Sequence, residues 1–576
     1  MVQAGPKWRA LVLASAAVLL LAGLGRLDAD APDEPRALQI AEELRSGEHG
    51  PQGLLVLHLN GEVYTQKPPL YYWLAALAGA PGGRVTELAA RLPSALAGIC
   101  VVWLTLLLGT RMLGGGAGVL GAAILLTSWE FAYLGRRVQF DVLLTAFELA
   151  ALASFWWLDR GMGSARRHQL VLHGALGLAV LTKGPVGFLI PALTIAVFLL
   201  WERRPGDLRR AFPLWGLLLS VLPGLLWVAA ATALAPAGYA GTALGENVIG
   251  RFFSGTSHVR PFWYYLWSFP VHFLPWTLAW PVIFWVGPRS VFAAGADDAA
   301  AGGARGDAKP SGAEAVRAWR FLLAGIATSL VFFSISAGKR SVYLLPIFPA
   351  TALLTADALL RWLVGRARLP RASGIGAALV LVLLVAIGAE AIAAGLGRPF
   401  LVPAERLAEL RAPYLLAFGC GLVGVALAGL AAGMLWVRNR VPAYVFPGLV
   451  AGTIAAVELT LFLLLLPALE PTQTLRPTAE AAGQHTPAGE RIGVLGSRAM
   501  VGGLNYYGGR RVAVLRTPED VERFFAEGGG ALVLKRKKLE RLEVPVEVVH
   551  TARSGRRELL VVTPRTASDA AERKLR

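Results

Sequence analysis

Two kinds of residue in this sequence have the types and spacing to do chemistry. The first is a run of carboxylates, Asp28, Asp30, Asp33, Glu34, Glu42, Glu43 and Glu48, gathered in the polar stretch 28–73. The second is a set of cations, Arg36, Lys67, Arg136, Arg137, Lys183, Arg251, Lys339 and Arg340, at or near the ends of apolar runs. A carboxylate can take the proton of an acceptor hydroxyl. Lysine meets a phosphate as a point charge and arginine as a bidentate fork. Cations converging at one membrane face would suit a phosphate whose lipid tail stays in the bilayer. The plainer reading of each is a long basic side chain snorkelling to the interface. The weight lies in Lys67-Pro68-Pro69, Lys183-Gly184-Pro185 and Gly338-Lys339-Arg340, where a rigid or permissive backbone adjoins the charge.

Among the acids, Asp33-Glu34-Pro35-Arg36 precedes a helical run over 37–44, so Asp33 reads either as a helix N-cap or as a reacting group. Asp141 falls at the outer start of a span, where an ionisable side chain is a functional expectation; its plain alternative is a salt bridge to Arg137. His258 could hold a metal or a phosphate, or simply sit at the interface beside the aromatic run Phe262-Trp263-Tyr264-Tyr265.

These residues need a membrane to position them. Hydrophobic residues make up 55% of the chain and charged ones 16%, with a mean hydropathy of +0.54; soluble domains carry about 25% charged residues. The net charge of +18 is spread in small clusters between apolar runs, which indicates topology signals and excludes a nucleic-acid stripe. Cys100 and Cys420 both lie in expected spans, so neither a disulfide nor a thiolate metal site is expected. Runs of the ~20 residues a span needs fall near 10–25, 89–110, 114–134, 139–158, 169–182, 185–201, 211–234, 264–287, 318–336, 341–363, 372–395, 413–437 and 443–467, which is about thirteen spans. The N-terminal run imitates a signal peptide but reads as a retained first span. With Lys7 and Arg9 in the cytoplasm, the loop 26–88, the Lys183 turn, the Lys339 corner and the C-terminal tail fall outside.

A polar loop as long as 26–88 exceeds a simple turn, and such loops tend to carry function. Residues 292–316 are Ala/Gly-rich with scattered charge and read as a disordered cytoplasmic linker. From about 470 the pattern changes to short apolar strands near 491–495, 511–515, 531–534 and 558–562, with a helical run from Pro518 and a strand-to-turn reading for Leu504-Asn505-Tyr506-Tyr507-Gly508-Gly509-Arg510. The expected organisation is a membrane domain over 1–469, with its catalytic outer loop at 26–88, and a periplasmic α/β domain over 470–576.

Asp33-Glu34-Pro35-Arg36, the run from Asn60-Gly61 to Lys67-Pro68-Pro69-Leu70-Tyr71-Tyr72-Trp73, Ala90-Arg91-Leu92-Pro93-Ser94, Leu181-Thr182-Lys183-Gly184-Pro185, Pro261-Phe262-Trp263-Tyr264-Tyr265 and Lys339-Arg340-Ser341-Val342-Tyr343 together resemble the aminoarabinose transferase branch of the polytopic glycosyltransferases. That branch belongs with the dolichyl-phosphate-mannose protein mannosyltransferases. The resemblance implies an all-α GT-C membrane fold with a small C-terminal α/β domain, and a polyprenyl-phosphate-linked sugar as donor. It further implies Asp33 as base or acceptor-orienting residue with Glu34 beside it, Lys67 on the donor phosphate, Asp141 as the acid of the fourth span, and Lys339 and Tyr343 at a later outer corner. Arg36, Lys183 and Arg340 complete the expected phosphate contacts.

Two departures stand out. Gln66 replaces a family glutamate that pairs with the loop histidine around a metal, and an amide is a poorer ligand than a carboxylate, which weakens the case for a divalent ion at His258. Ala37 stands where a tyrosine is usual. The expected reaction is displacement at the anomeric carbon, with cations stabilising the departing phosphate. The acceptor is a lipid A-like glycolipid or a protein on the outer face of a bacterial inner membrane. The alternative is a lipid-linked sugar flippase, which would show an internal repeat and a midplane site.

Overall fold

The computed structural model describes residues 5–29, 32–250, 259–292, 312–364, 385–400, 445–470, 474–554 and 557–565, with isolated residues at 382 and between 415 and 430. In chain order its first elements are helix α1 (Pro6–Leu21), α2 (Asp33–Ser46), the short strands β1 (His58–Leu59) and β2 (Glu62–Val63), α3 (Leu70–Gly79), α4 (Glu87–Leu113), α5 (Gly115–Leu126), α6 (Trp129–Gly135), α7 (Phe140–Asp159), α8 (Ala165–Lys183) and α9 (Val186–Trp201). The chain divides into two compact units. One comprises Met1–Ala22, Thr65–Tyr71 and Pro93–Leu465; the other comprises Gly23–Tyr64, Tyr72–Leu92 and Leu466–Arg576.

The first unit is helical. Among the described residues, six helices are long and apolar enough to cross a bilayer: α4, α7, Leu214–Leu234, Gly312–Ile335, Ser341–Leu363 and Pro447–Leu465. The runs expected near 114–134 and 264–287 are broken. The first bends by 68° between α5 and α6, and the second by 105° between Tyr264–His272 and Trp276–Gly287. Thr127 and Ser128 occupy the first break, and their hydroxyls donate to the Ala123 and Ile124 carbonyls one turn back, a pattern that bends helices. The two breaks brace one another: the Trp276 indole N–H donates to the Thr127 hydroxyl at 2.9 Å, and the Trp129 N–H to the Leu274 carbonyl at 3.0 Å. Irregular backbone at membrane depth needs such partners. Most of the runs at 372–395 and 413–437 lies outside the described residues, as do 293–311 of the expected linker. Residues 312–316, read as linker from their composition, instead open a helix in which Glu314 meets Arg160 at 2.8 Å.

The second unit is built on a five-stranded sheet. Its strands are β3 (Ile492–Leu495), β4 (Val512–Leu515), β5 (Leu532–Lys535), β6 (Val546–Ser554) and β7 (Arg557–Pro564), in the order β4-β3-β5-β7-β6. The β3 strand runs parallel to β4 and β5, and β7 antiparallel to β5 and β6. Val521 and Phe524 of the helix Pro518–Ala526 pack on Leu495, Leu515, Leu532, Leu534, Leu560 and Val562 to form its core. Thr517 and Asp520 close a capping box at that helix's start. The sequence 504–510, expected to run from strand to turn, is instead the end of a helix, Val501–Gly508, stopped by Gly509 at φ 63°. Burial of Tyr506 and Tyr507 on one side favours the helix over an edge strand.

The polar loop is knitted into this sheet. Asn60, itself at φ 61°, donates to the Val512 carbonyl at 2.8 Å and accepts from the Val512 N–H at 2.7 Å, so one side chain completes the edge of β4. The Ala29 N–H donates to the Tyr507 hydroxyl at 2.7 Å, and that hydroxyl reaches Glu87 at 2.8 Å. Arg476 bridges Asp28 at 2.7 Å and Glu87 at 3.2 Å.

Candidate functional site

In the first unit the site grows from the start of α7. Gln139 is the extended residue before it, so Phe140 and Asp141 form its first turn. The Lys67 ammonium lies 3.8 Å from the centre of the Phe140 ring, a cation–π contact. Asp141, 5% exposed, pairs with Lys183. Lys183 is the last residue of α8, followed by Gly184 at φ 80° and Pro185. That left-handed backbone is open to glycine at little cost, and it turns the chain so that the lysine ends the helix facing α7. Lys183 also lies 4.2 Å from the centre of the Tyr343 ring. The structure thus sets Lys67 against Phe140 and, one residue on along α7, Asp141 against Lys183, which in turn meets Tyr343. The salt bridge to Arg137 considered for Asp141 is replaced by Lys183, while Arg137 lies 4.9 Å from the centre of the Tyr133 ring.

Other cations have different duties. Arg136 is buried, donates to the Leu19 and Ala22 carbonyls and lies over Phe462, which fastens α6 to α1. Lys339, 3% exposed, gives its ammonium to the carbonyls of Arg260 and Ser336 and so braces the corner. Burial pulls its pKa below that of an ordinary lysine. The Arg340 carbonyl accepts from the Tyr265 hydroxyl at 3.1 Å and from the Tyr343 N–H at 3.2 Å, which seats Tyr343 against Lys183. Arg251 and His258 lie outside the described residues, and Gln66 is exposed.

Sequence reasoning passed over two further acids. Glu148, 2% exposed, lies two turns below Asp141 on α7 and interacts with both Asp141 and Lys183. Glu130 faces His272 at 3.4 Å. The available signal was an ionisable residue within a span, which is a functional expectation in itself.

In the second unit, Asp33 and Arg36 open α2 and pair at 3.4 Å, with Asp33 about half exposed. Asp33 is the first helical residue, and the N-cap position is Pro32. Gly502 holds the start of α2 in place, since a Cβ there would stand 2.6 Å from the Arg36 Cα. Tyr72 is buried edge-on to Tyr64, with ring centres 6.0 Å apart. Burial, and then Tyr64, pushes the Tyr72 hydroxyl well above the usual phenol pKa, so it remains a neutral donor close enough to feel Asp33 and Arg36.

Glu34 is held differently from Asp33. Arg91, 1% exposed, donates to its two oxygens at 3.1 and 2.8 Å, and to the carbonyls of Leu24, Leu27 and Asp28 at 2.7 to 3.0 Å. These five bonds match the five N–H groups of a guanidinium. An Arg91→Lys variant keeps the charge but not the fork. It is expected to lose about 2–3 kcal/mol of stability, of the order of a charged hydrogen bond or two, measured as a lower thermal midpoint in detergent.

Glu43, Glu48 and His49 bring ligand atoms within 4.8 Å of one another. The Glu43 oxygens, however, already accept from Gln39 at 2.9 Å, the Asn60 N–H at 2.6 Å and the Gly61 N–H at 3.2 Å, and meet His49 at 3.2 Å. That carboxylate serves the loop and not a cation.

Residues 28–238 match the family model described as dolichyl-phosphate-mannose-protein mannosyltransferase. The chain is 31% identical over 385 residues to an undecaprenyl phosphate-alpha-4-amino-4-deoxy-L-arabinose arabinosyl transferase of Pseudomonas savastanoi pv. phaseolicola, covering 66% of each chain. It is 28% identical over 362 residues to a similarly named enzyme of Pseudomonas fluorescens, covering 60% of this chain and 56% of that one. The aligned stretches thus span just over half to just under two thirds of these relatives. The crystal structure of ArnT from Cupriavidus metallidurans bound to undecaprenyl phosphate superposes with a TM-score of 0.72 at 19% identity, covering 97% of this chain and 98% of the other. At that identity the likeness shows the fold.

Proposed function

We infer that the chain is one of the aminoarabinose transferase-like polytopic glycosyltransferases of the GT-C fold, and that it moves a sugar from a polyprenyl-phosphate carrier to an acceptor of the cell envelope. The observation that supports the reading is the gathering of Lys67 on Phe140 and of Asp141, Lys183 and Tyr343 beside it, at the start of α7 and the end of α8. When the anomeric carbon leaves its carrier, negative charge collects on the phosphate oxygens. Lys67 and Lys183 stabilise that charge, and Asp141 and Tyr343 hold Lys183 in place beforehand. Preorganisation of this kind accelerates a reaction because the donors need no rearrangement as charge develops.

Asp33 takes the proton of the acceptor hydroxyl, with Arg36 orienting its carboxylate. Glu34 and Lys339, fully engaged by Arg91 and by backbone carbonyls, act as positioning residues. The relatives named for an undecaprenyl-phosphate aminoarabinose donor support an isoprenoid carrier, and the acceptor in this reading is a glycolipid of the lipid A kind. We place this multi-pass protein in a bacterial inner membrane, with the N-terminus cytoplasmic and the C-terminal unit periplasmic, from the distribution of Lys and Arg.

The test is release of free polyprenyl phosphate by purified protein given donor lipid and acceptor. Lys67→Ala is expected to lower that release by roughly 10²–10³-fold, the usual cost of one oxyanion-stabilising donor, with the fold intact. Lipid translocation in vesicles without any release would turn the assignment towards a flippase.

A further inference from the structure

We propose that a cleft in the second unit binds an anionic saccharide, a hydroxyl-rich ring carrying a phosphate or carboxylate group. The cleft, of about 500 Å³, lies between α2, the segment bearing Arg84 and the turn from Asn505 to Arg511. Ligand sites commonly have volumes of about 300–1,000 Å³.

The acids on its wall are already occupied. Glu42 accepts from Arg45 at 3.0 and 2.6 Å and from the Val85 N–H at 2.7 Å. Burial works against its ionisation, but those hydrogen bonds and the charges of Arg45 and Arg84 outweigh it and hold its pKa below the usual carboxylate value. Glu43 is taken up by Gln39 and the Asn60–Gly61 backbone, and Glu48 pairs with Arg511.

The groups left over are a guanidinium and an amide. Arg510 Nε is buried without an acceptor among the described residues, and its Nη1 reaches only the neighbouring Gly509 carbonyl at 3.1 Å. Asn505 is 8% exposed. Its Nδ2 donates to the Arg510 carbonyl at 2.8 Å, which fixes the amide's orientation and leaves Oδ1 without a donor. Arg84 lies 4.8 Å from the centre of the Tyr506 ring on the same wall.

A buried polar atom left without a partner is destabilising, so an occupant that offers both an anionic oxygen and a hydroxyl relieves two such deficits at once. Inorganic phosphate meets the guanidinium need, and a neutral sugar meets the amide need. A ring with both groups meets the two together. The inference does not rest on the transfer reading, because binding here needs no donor lipid.

The test is calorimetric titration of the full-length protein in detergent with glucose 6-phosphate, glucuronate, glucose and inorganic phosphate. The two charged sugars are expected to bind at least ~10-fold more tightly than glucose or phosphate, as expected when two buried groups gain partners. Arg510→Gln is expected to remove that advantage with unchanged unfolding temperature, and Asn505→Ala to remove it with a lowered one, since its bond to the Arg510 carbonyl is lost as well. Arg510→Gln, at a half-buried residue, keeps the test valid if Asn505→Ala fails to fold. Competition by a phosphorylated glycolipid in nanodiscs assigns the site to a lipid headgroup; its absence assigns the site to a soluble sugar. Equal affinity for phosphate and glucose 6-phosphate, unchanged binding by Arg510→Gln, or no saturation by any probe would overturn the proposal.

Discussion

Asp33→Asn is expected to slow sugar transfer by roughly 10²–10⁴-fold, the range supplied by a positioned general base, in a protein that remains folded. The substitution keeps the size of the side chain and removes its capacity to take a proton. Its structural cost is small because Asp33 lies about half exposed at the start of α2, where a solvent-open pair with Arg36 is worth little. What it forfeits is a carboxylate at a helix N-terminus, worth about 0.3–1 kcal/mol. Activity and stability should therefore separate cleanly. Turnover of purified Asp33→Asn within a few-fold of the parent, at an unchanged melting temperature, would refute the role given to this residue.

The second large effect concerns the pair in the first unit. Lys183→Met leaves Asp141 buried without its cation, and breaking a buried pair from one side costs about 3–5 kcal/mol. The same change removes the phosphate partner proposed for the transfer step. Pairing it with Asp141→Asn separates these losses, because a neutral pair of similar volume no longer carries an uncompensated charge. The double variant is expected to regain most of its melting temperature in detergent while transfer stays at least ~10²-fold down, the usual cost of losing one preorganised donor. Recovery of both would make the pair a purely structural one.

The parts of the molecule readable in the sequence are those fixed by local pattern. Long apolar runs gave α4, α7 and Leu214–Leu234, and short apolar runs between glycines gave β3, β4, β5 and β7. The Lys183-Gly184-Pro185 break was legible because glycine and proline dictate backbone geometry on their own. The choice of partners was not legible. Asp141 meets Lys183 rather than Arg137 because α7 and α8 lie side by side, a tertiary fact that no spacing along the chain expresses. Lys339 looked like Lys67 in sequence, yet its ammonium is enclosed by carbonyls, since only the folded corner decides which way a lysine points. Arg91 and Asn60 drew notice only inside motifs, and their roles depend on backbone groups far away in sequence.

The way Asn60 completes the edge of β4 has a consequence for how the protein is made. Asn60 and Val512 are 452 positions apart. At the usual rates of synthesis the ribosome takes roughly 20–90 s to travel that far. For that interval the acidic loop lacks the strand it is to complete, so a late stretch of the chain brings an early one to order. A nascent chain stalled before Arg476 would thus leave its acidic loop open to proteolysis, however well its helices had formed.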